Sequence, residues 1–558
     1  MYMHKRTVHS FRKIHSTHGG HSVPYFSRLY GFRFPLIAIA IAILILAGCG
    51  DDAEAPPAAD KVADTEAPEA PGDVTASPVS SSRIDVSWSP GTDNIGIEGY
   101  GIYRDGNSIG TTGDLFWTDS GLAPETEYSY QISAFDSSSN ESARSEAAAA
   151  VTGAAQEGNV YTVGPERGYK SIQQVQSLLR PGDLVLVDGG AIYAGGAVFS
   201  NAGTPDAPIT IRGVRALGQR PIIDGGNNVV EFNMNHYVFE GFEIRNGGFR
   251  GLYHHADDVT IRDCVVHDCP HGILGADEGS GDITIEYCEI FHCGEGDGRH
   301  QIYMSTNEND YPGSVFRLQF CYIHDGTGGE NVKSRAERSE IYYNWLDSPW
   351  YHNLELIGPD PAGGVAEATA REDADVVGNV LIARRFGRNV RVGGDGTGQG
   401  LGRYRFVNNT FIHLNESPDS HIFPHFGVES VEMHNNLFYI VSGTVLDDSE
   451  ADWVYGRRVG GANNWVHSGA RYPAEWTSTI TGTNPGLTNL AAGLLRPAPG
   501  SVLVDAGISS TASPSGSPFP FPLALPGYHP PEGTFIMPGN GEARPVSGAV
   551  DMGAFELR

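Results

Sequence analysis

From about residue 184 onward, short apolar stretches recur between polar turns. DLVLVDGG, PITIRG, YVFEGFEIRN, DVTIRDCVVHDC, DITIEYCEIFHC and VFRLQFCYIHDG each alternate apolar and polar residues, the period-two signature of a strand. IYYNWLDS, DVVGNVLIA, YRFVNNTFIH and VEMHNNLFYIV continue the series. One position can be followed through it: Gly241, Cys264, Cys288, Cys321, Asn344, Asn379, Asn409 and Asn436, at steps of 23 to 35 residues. Such steps predict a solenoid with three strands per coil. Ahead of the series, SIQQVQSLLRPGD puts Ile172, Val175, Leu178 and Leu179 on one helical stripe ended by Pro181-Gly182, which predicts a capping helix over 170–180.

Upstream the texture differs. IDVSWSP carries Trp88, EGYGIYRDG carries Tyr100 and Tyr103, and LAPETEYSYQISAFD follows. Leu122, Pro124, Tyr128, Tyr130, Ile132 and Ala134 resemble the E–F corner and F strand of a fibronectin type III domain, whose tyrosine ties the corner back to the backbone. That resemblance covers 70–153. The coil repeat over 158–556 resembles the right-handed parallel β-helix, and GSVLVDAG and GAVDMGAFE resemble the closing segments of its bacterial members. The fold expected is all-β: a right-handed parallel β-helix solenoid preceded by a fibronectin type III β-sandwich. Residues 49–69, rich in Ala, Pro, Glu and Asp, predict a flexible linker.

Residues 35–46, PLIAIAIAILIL, form an apolar run behind a basic segment, too short for a comfortable membrane span. It ends in Leu46-Ala47-Gly48-Cys49, which looks like a bacterial lipobox. This implies a signal peptide over 1–48, lipid on Cys49 and anchorage in the cell envelope, with an uncleaved signal anchor as the alternative. The 558 residues carry a formal charge of −30, and 72 glycines with 19% charged residues suit short strands and turns. The first 48 residues hold six cations and no acid, so the remainder is more acidic still. Such a body repels nucleic acid, and cationic spots within it need a reason. The C-x4-C spacing of CVVHDC and CEIFHC departs from the usual zinc x2 and lacks a helical histidine pair. It predicts stacked buried thiols or a Cys269–Cys293 disulfide.

Counting forward from the recurring position gives a strip. His300 and Lys333 lie 12 residues on from Cys288 and Cys321, Glu355 lies 11 on from Asn344, and Arg391 and His421 lie 12 on from Asn379 and Asn409. Val332 and Ser334, Leu354 and Leu356, and Val390 and Val392 flank the middle three, which should therefore point outward while their neighbours point in. Arg335, Arg384, Arg385, Arg388 and Tyr303 are expected beside this strip, with Arg384, Arg385, Arg388 and His421 as substrate-binding groups. A groove lined by cations within an acidic body suits an anionic polysaccharide.

VKS followed by an Asn-containing strand looks like the lysine segment of the chondroitinase B and alginate lyase family of β-helix polysaccharide lyases, and PGDLVLVDGGAIYAGGAVFSNAGTPDAPITIRG resembles that family's first coils. The resemblance implies that Lys333 removes the C5 proton of a uronate, with Arg335 or Arg391 on the carboxylate and Tyr303 or His300 as proton donor. It also implies calcium, for which Glu330 and Asp325 are the nearest acids. A lysine crowded by arginines should have a lowered pKa. The sequence departs from the family in two places: Glu355 in HNLELIG stands where an arginine is expected, and Gly328 and Gly326 stand where two glutamates are expected. Three alternatives follow: a glycoside hydrolase using Glu355 with Glu330 or Asp360, a C5-epimerase, and a non-catalytic surface glycan-binding or adhesive protein.

Overall fold

The structure, a computed structural model, describes residues 64–557 apart from 79–80, 82, 114, 137, 139, 155–157, 276–278, 359–370, 385–387, 396–399, 415–419, 511, 522–524 and 545–547. The apolar run 35–46, Cys49, Asp360 and Arg385 lie outside the described residues. Among those described, no helix is long and apolar enough to cross a membrane.

Residues 72–151 form a sandwich of two antiparallel sheets, one of three strands and one of four. Trp88 packs edge-on against Tyr100 at 5.4 Å between Ile84, Val86, Ile102 and Ile132. Tyr128 Oη accepts the Ala123 N–H at 2.9 Å, the corner tie that the sequence predicts.

Beyond Val160 the chain winds into a parallel β-helix of three sheets. Sheet 1 has 12 strands, from Val160–Val163 to Val459–Ala462. Sheet 2 has 12, from Ile192–Ala194 to Ile480–Gly482, and sheet 3 has 10, from Ala197–Phe199 to Thr444–Leu446. The inward side chains of all three build one continuous apolar core.

The recurring position is a ladder at the corner between sheets 1 and 2. Asn379, Asn409, Asn436 and Asn464 each accept the backbone N–H of the preceding coil's Asn on the side-chain oxygen, at 2.8 to 2.9 Å. Their amide nitrogens donate to preceding-coil carbonyls, as Asn379 does to Ile341 at 2.7 Å. Buried amides are tolerable here because every donor and acceptor is matched. Cys264, Cys288 and Cys321 fill the same row, and Cys321 Sγ approaches the Ile285 carbonyl at 3.7 Å as a weak version of the same bond. All five described cysteines are buried free thiols, so the stacked-thiol alternative holds and Cys269 and Cys293 are not bridged.

Two sequence expectations shift. Gly241 is not in the row: the register of Glu243 with Val265 puts Phe242 opposite Cys264. Gly241 instead holds the left-handed bend one residue earlier, as do Asp263, Tyr287, Phe320, Tyr343, Gly378, Asn408, Asn435 and Asn463. That conformation is costly for bulky residues, and at Tyr287, Phe320 and Tyr343 ring contacts at 4.8 and 5.3 Å offset it. The expected capping helix is only a 3-10 turn, Ile172–Gln174. Val175 and Leu179 are buried but Leu178 is exposed, since a segment this short gains little from helix formation against a flat coil end. The closing segments behave as predicted: Leu503, Met552, Ala554 and Phe555 cover the outward side chains of sheet 2, including Trp345, Val380 and Trp465.

Candidate functional site

The strip lies on sheet 3. Its strands are β1 (His271–Gly275), β2 (Ile302–Ser305), β3 (Val332–Arg335), β4 (Leu354–Ile357), β5 (Val390–Gly393) and β6 (Ser420–Pro424). Their register aligns Leu274, Tyr303, Lys333, Glu355, Arg391 and Phe423 in one outward column. Lys333, Glu355 and Arg391 therefore stack as the sequence predicts. His300 and His421 do not. Tyr303 and Phe423 take their places, because the turns before β2 and β6 are longer than a constant offset allows.

A second ladder, inside the coil two residues before the column, sets this register. Gln301 Nε2 donates to Asn331 Oδ1 at 2.7 Å, Asn331 Nδ2 to Asn353 Oδ1 at 2.8 Å, and Asn353 Nδ2 to Asn389 Oδ1 at 2.7 Å. Asn389 Nδ2 lies 3.0 Å from His421 Nδ1, so His421 closes this interior row, and burial pushes its pKa well below the ordinary range. The row was visible in the sequence as Gln301-Ile302-Tyr303, Asn331-Val332-Lys333, Asn353-Leu354-Glu355, Asn389-Val390-Arg391 and His421-Ile422-Phe423.

The charged groups form one network. Lys333 Nζ lies 2.9 Å from Glu355 Oε2 and 3.1 Å from Asp395 Oδ2. Arg391 Nη1 donates to Glu355 Oε1 at 2.9 Å, and Arg391 Nη2 lies 2.9 Å from His425 Nδ1. Arg335 shares the outward face of β3 with Lys333, but it is covered rather than open to solvent, its side chain only 2% exposed. Its Nη2 donates to Asp395 at 2.7 Å, its Nε to Tyr303 Oη at 3.0 Å and its Nη1 to the Gly358 carbonyl at 2.5 Å. Asp395 and His425 were not anticipated. Asp395 reaches back because Gly393, at φ +97, turns the chain sharply after β5.

The lowered lysine pKa expected from arginine crowding is not what this network produces. Burial disfavours the Lys333 ammonium, but Glu355 and Asp395 more than offset it and the neighbouring Arg335, so its pKa is raised. Nearby, Glu372 is buried beside Glu308 and Glu337. Burial, then those carboxylates, push its pKa well above the ordinary range, and burial raises Glu308 to about 7.

The remaining candidates divide. Arg388 lies over the Phe423 ring at 3.6 Å, at the end of the column. Arg384 belongs to sheet 2 instead, where it clasps Asp347 through two bonds of 2.7 Å. Arg338, just beyond Lys333 and Arg335 in sequence, pairs with Asp375 and Glu340 on sheet 1 and is covered by Phe521 at 3.4 Å. His300 is buried one coil from Glu330, with 2.5 Å between Nδ1 and Oε2. Asp325 is exposed and pairs with His324 at 2.9 Å, so it does not join Glu330. Among the described residues, the donors that do converge are Glu330, His352 and Glu355. Calcium takes six to eight oxygens, and two carboxylates with an imidazole do not fit it.

A fibronectin type III family model matches residues 69–150. The chain is 46% identical over 110 residues to an alpha-amylase of Niallia circulans, covering 20% of this chain and 8% of the amylase. It is 42% identical over 71 residues to chitinase 63 of Streptomyces plicatus, covering 13% and 12%, and 42% identical over 74 residues to a gellan lyase of Bacillus sp, covering 13% and 3%. The chain thus spans 12% or less of the length of these curated relatives. Among solved structures, pectate lyase Pel9A aligns with 72% of this chain and 97% of its own, at 13% identity and a TM-score of 0.44. Residues 69–150 are a fibronectin type III domain, and a parallel β-helix follows it.

Proposed function

We propose that this chain is a lipid-anchored, polysaccharide-active enzyme of the cell envelope that cleaves a uronate-containing glycan by β-elimination on the sheet 3 column. The observation that carries this reading is Asp395, whose carboxylate bridges Lys333 at 3.1 Å and Arg335 at 2.7 Å beside Arg391. An internal carboxylate held by a lysine and an arginine marks a place where the carboxylate of a sugar can be held. Similarity to a gellan lyase and to chitinases over module-sized stretches supports a glycan as the substrate class.

In this reading a uronate displaces Asp395, and Arg335 and Arg391 take its carboxylate. With Asp395 displaced, Lys333 loses one of the two carboxylates that hold its proton, gives that proton to solvent, and as the neutral amine removes the C5 proton. The C4–O bond breaks, its electrons leave with the oxygen, and the C5 electron pair forms the C4=C5 double bond. Tyr303 protonates the departing oxygen and regains its proton from solvent. Masking the carboxylate charge makes the C5 proton acidic enough to leave.

The test is a panel of uronate polymers assayed by ultraviolet absorbance of the unsaturated product. Absorbance that rises with wild type and not with Lys333→Ala supports elimination. Saturated products from a fully active Lys333→Ala enzyme refute it in favour of hydrolysis, and retained polymer without products points to a binding protein.

A further inference from the structure

One residue before the second ladder runs another column. His300, Glu330 and His352 each directly precede one of its amides, Gln301, Asn331 and Asn353. The ladder register therefore stacks them on successive coils, beside Glu355. One ligand atom each from Glu330, His352 and Glu355 lies within 4.8 Å of the others, and all three side chains are buried.

The valences here are not closed. His300 Nδ1 lies 3.1 Å from the Glu330 backbone nitrogen, within hydrogen-bond reach. The same nitrogen lies 2.5 Å from Glu330 Oε2, so one atom of His300 faces both the backbone N–H and the carboxylate of Glu330. Neither Glu330 Oε2 nor His352 Nδ1 has a hydrogen-bond partner among the described residues. His352 Nδ1 stands 3.5 Å from Glu330 Oε1. Buried acceptors facing one another are costly unless a proton or a metal cation lies among them.

We propose that Glu330, His352 and Glu355 bind a divalent transition-metal ion of the zinc class, with His300 at the edge of the site. Imidazole with carboxylates suits such ions, and three protein ligands leave one position open on a tetrahedral ion. Glu355 remains available although Lys333 and Arg391 each hold one of its oxygens, because a carboxylate offers about four lone-pair sites. The immediate charges, Glu330, Glu355 and Asp395 against Lys333, Arg335 and Arg391, cancel before the ion is counted. A bound divalent ion therefore gives the site a positive surplus that favours an anionic ligand. This site does not depend on the β-elimination reading.

The experiment uses the untagged full chain in detergent. It is stripped with a chelator, offered Zn2+, Co2+ or Ca2+ separately, desalted and analysed for metal. The expected result is about one Zn2+ or Co2+ retained per chain, with a visible Co2+ absorption band and a higher melting temperature. Ca2+ is not retained. Glu330→Gln and His352→Ala each weaken retention at least tenfold while circular dichroism stays that of the folded chain, and His352→Gln replaces the alanine variant if that one fails to fold. Wild type that retains neither Zn2+ nor Co2+ overturns the proposal. So does retention of Ca2+ alone, or retention unchanged in folded variants at both positions.

Discussion

Replacing Asn353 by Ala tests whether the second ladder holds the column together. Asn353 is fully buried. Its Oδ1 accepts from Asn331 Nδ2 at 2.8 Å, and its Nδ2 donates to the Ile382 carbonyl at 3.1 Å and to Asn389 Oδ1 at 2.7 Å. Alanine removes all three bonds. Each contributes about 1 kcal/mol net, and the Asn331 N–H left without that acceptor adds a desolvation penalty of about 1–3 kcal/mol. The expected loss is therefore about 4–6 kcal/mol, mostly independent of ionic strength because no charge is involved. Urea unfolding followed by circular dichroism measures it, with Asn227→Ala on the exposed surface as a control expected to stay within about 0.5 kcal/mol. Because Asn353 sits two residues before Glu355, turnover should fall together with stability. A loss below about 1 kcal/mol would show that the apolar core alone sets the register, and would refute the reasoning.

Lys333→Ala should lower turnover about 10²- to 10⁴-fold with polymer binding nearly intact, and Lys333→Arg should fail equally because a guanidinium does not give up its proton. Unchanged kcat in either variant counts against Lys333 as base. Arg391→Ala should raise KM and make the remaining binding more salt-sensitive, which a titration in NaCl checks. Glu372 keeps its proton in the folded protein well above its ordinary value of 4.5, so the unfolded chain ionises first and wild type loses stability as pH rises above that value. Glu372→Gln should therefore gain melting temperature relative to wild type between about pH 5 and pH 7, and a falling difference refutes the assignment. Cys49→Ser should leave the precursor unprocessed and free of radioactive fatty acid, whereas normal processing would show an ordinary signal or anchor.

The sandwich and the coil were legible because both write their structure in chemical identity. A tyrosine five residues after the alanine it binds, and an asparagine returning once per coil, are visible without coordinates. Gly241 misled by one residue because glycine marks the left-handed bend while the ladder itself starts from Phe242 and passes through cysteine before reaching asparagine. Asp395 was illegible for a different reason. It lies on no strand, and only the turn at Gly393 brings it back to Lys333 and Arg335.

The fate of His300 and His421 shows where register information resides in a solenoid. Counting from the first ladder crosses sheet 2 and a turn of variable length, so every inserted residue enters the count as an error. The second ladder lies two residues from the column on the same strands, with no turn between, and an amide there can satisfy its bonds only opposite another polar group of the row. It therefore corrects the register locally on each coil. That is why Lys333, Glu355 and Arg391 align although the coils before and after them differ in length. The same logic explains the composition of the column ends. Tyr303 and Phe423 follow Gln301 and His421, the two members of the row that are not asparagine, so the asparagine run and the charged column end on the same coils. The charged part of this groove is thus confined to the three coils on which both rows are complete, with Tyr303 on the coil before them.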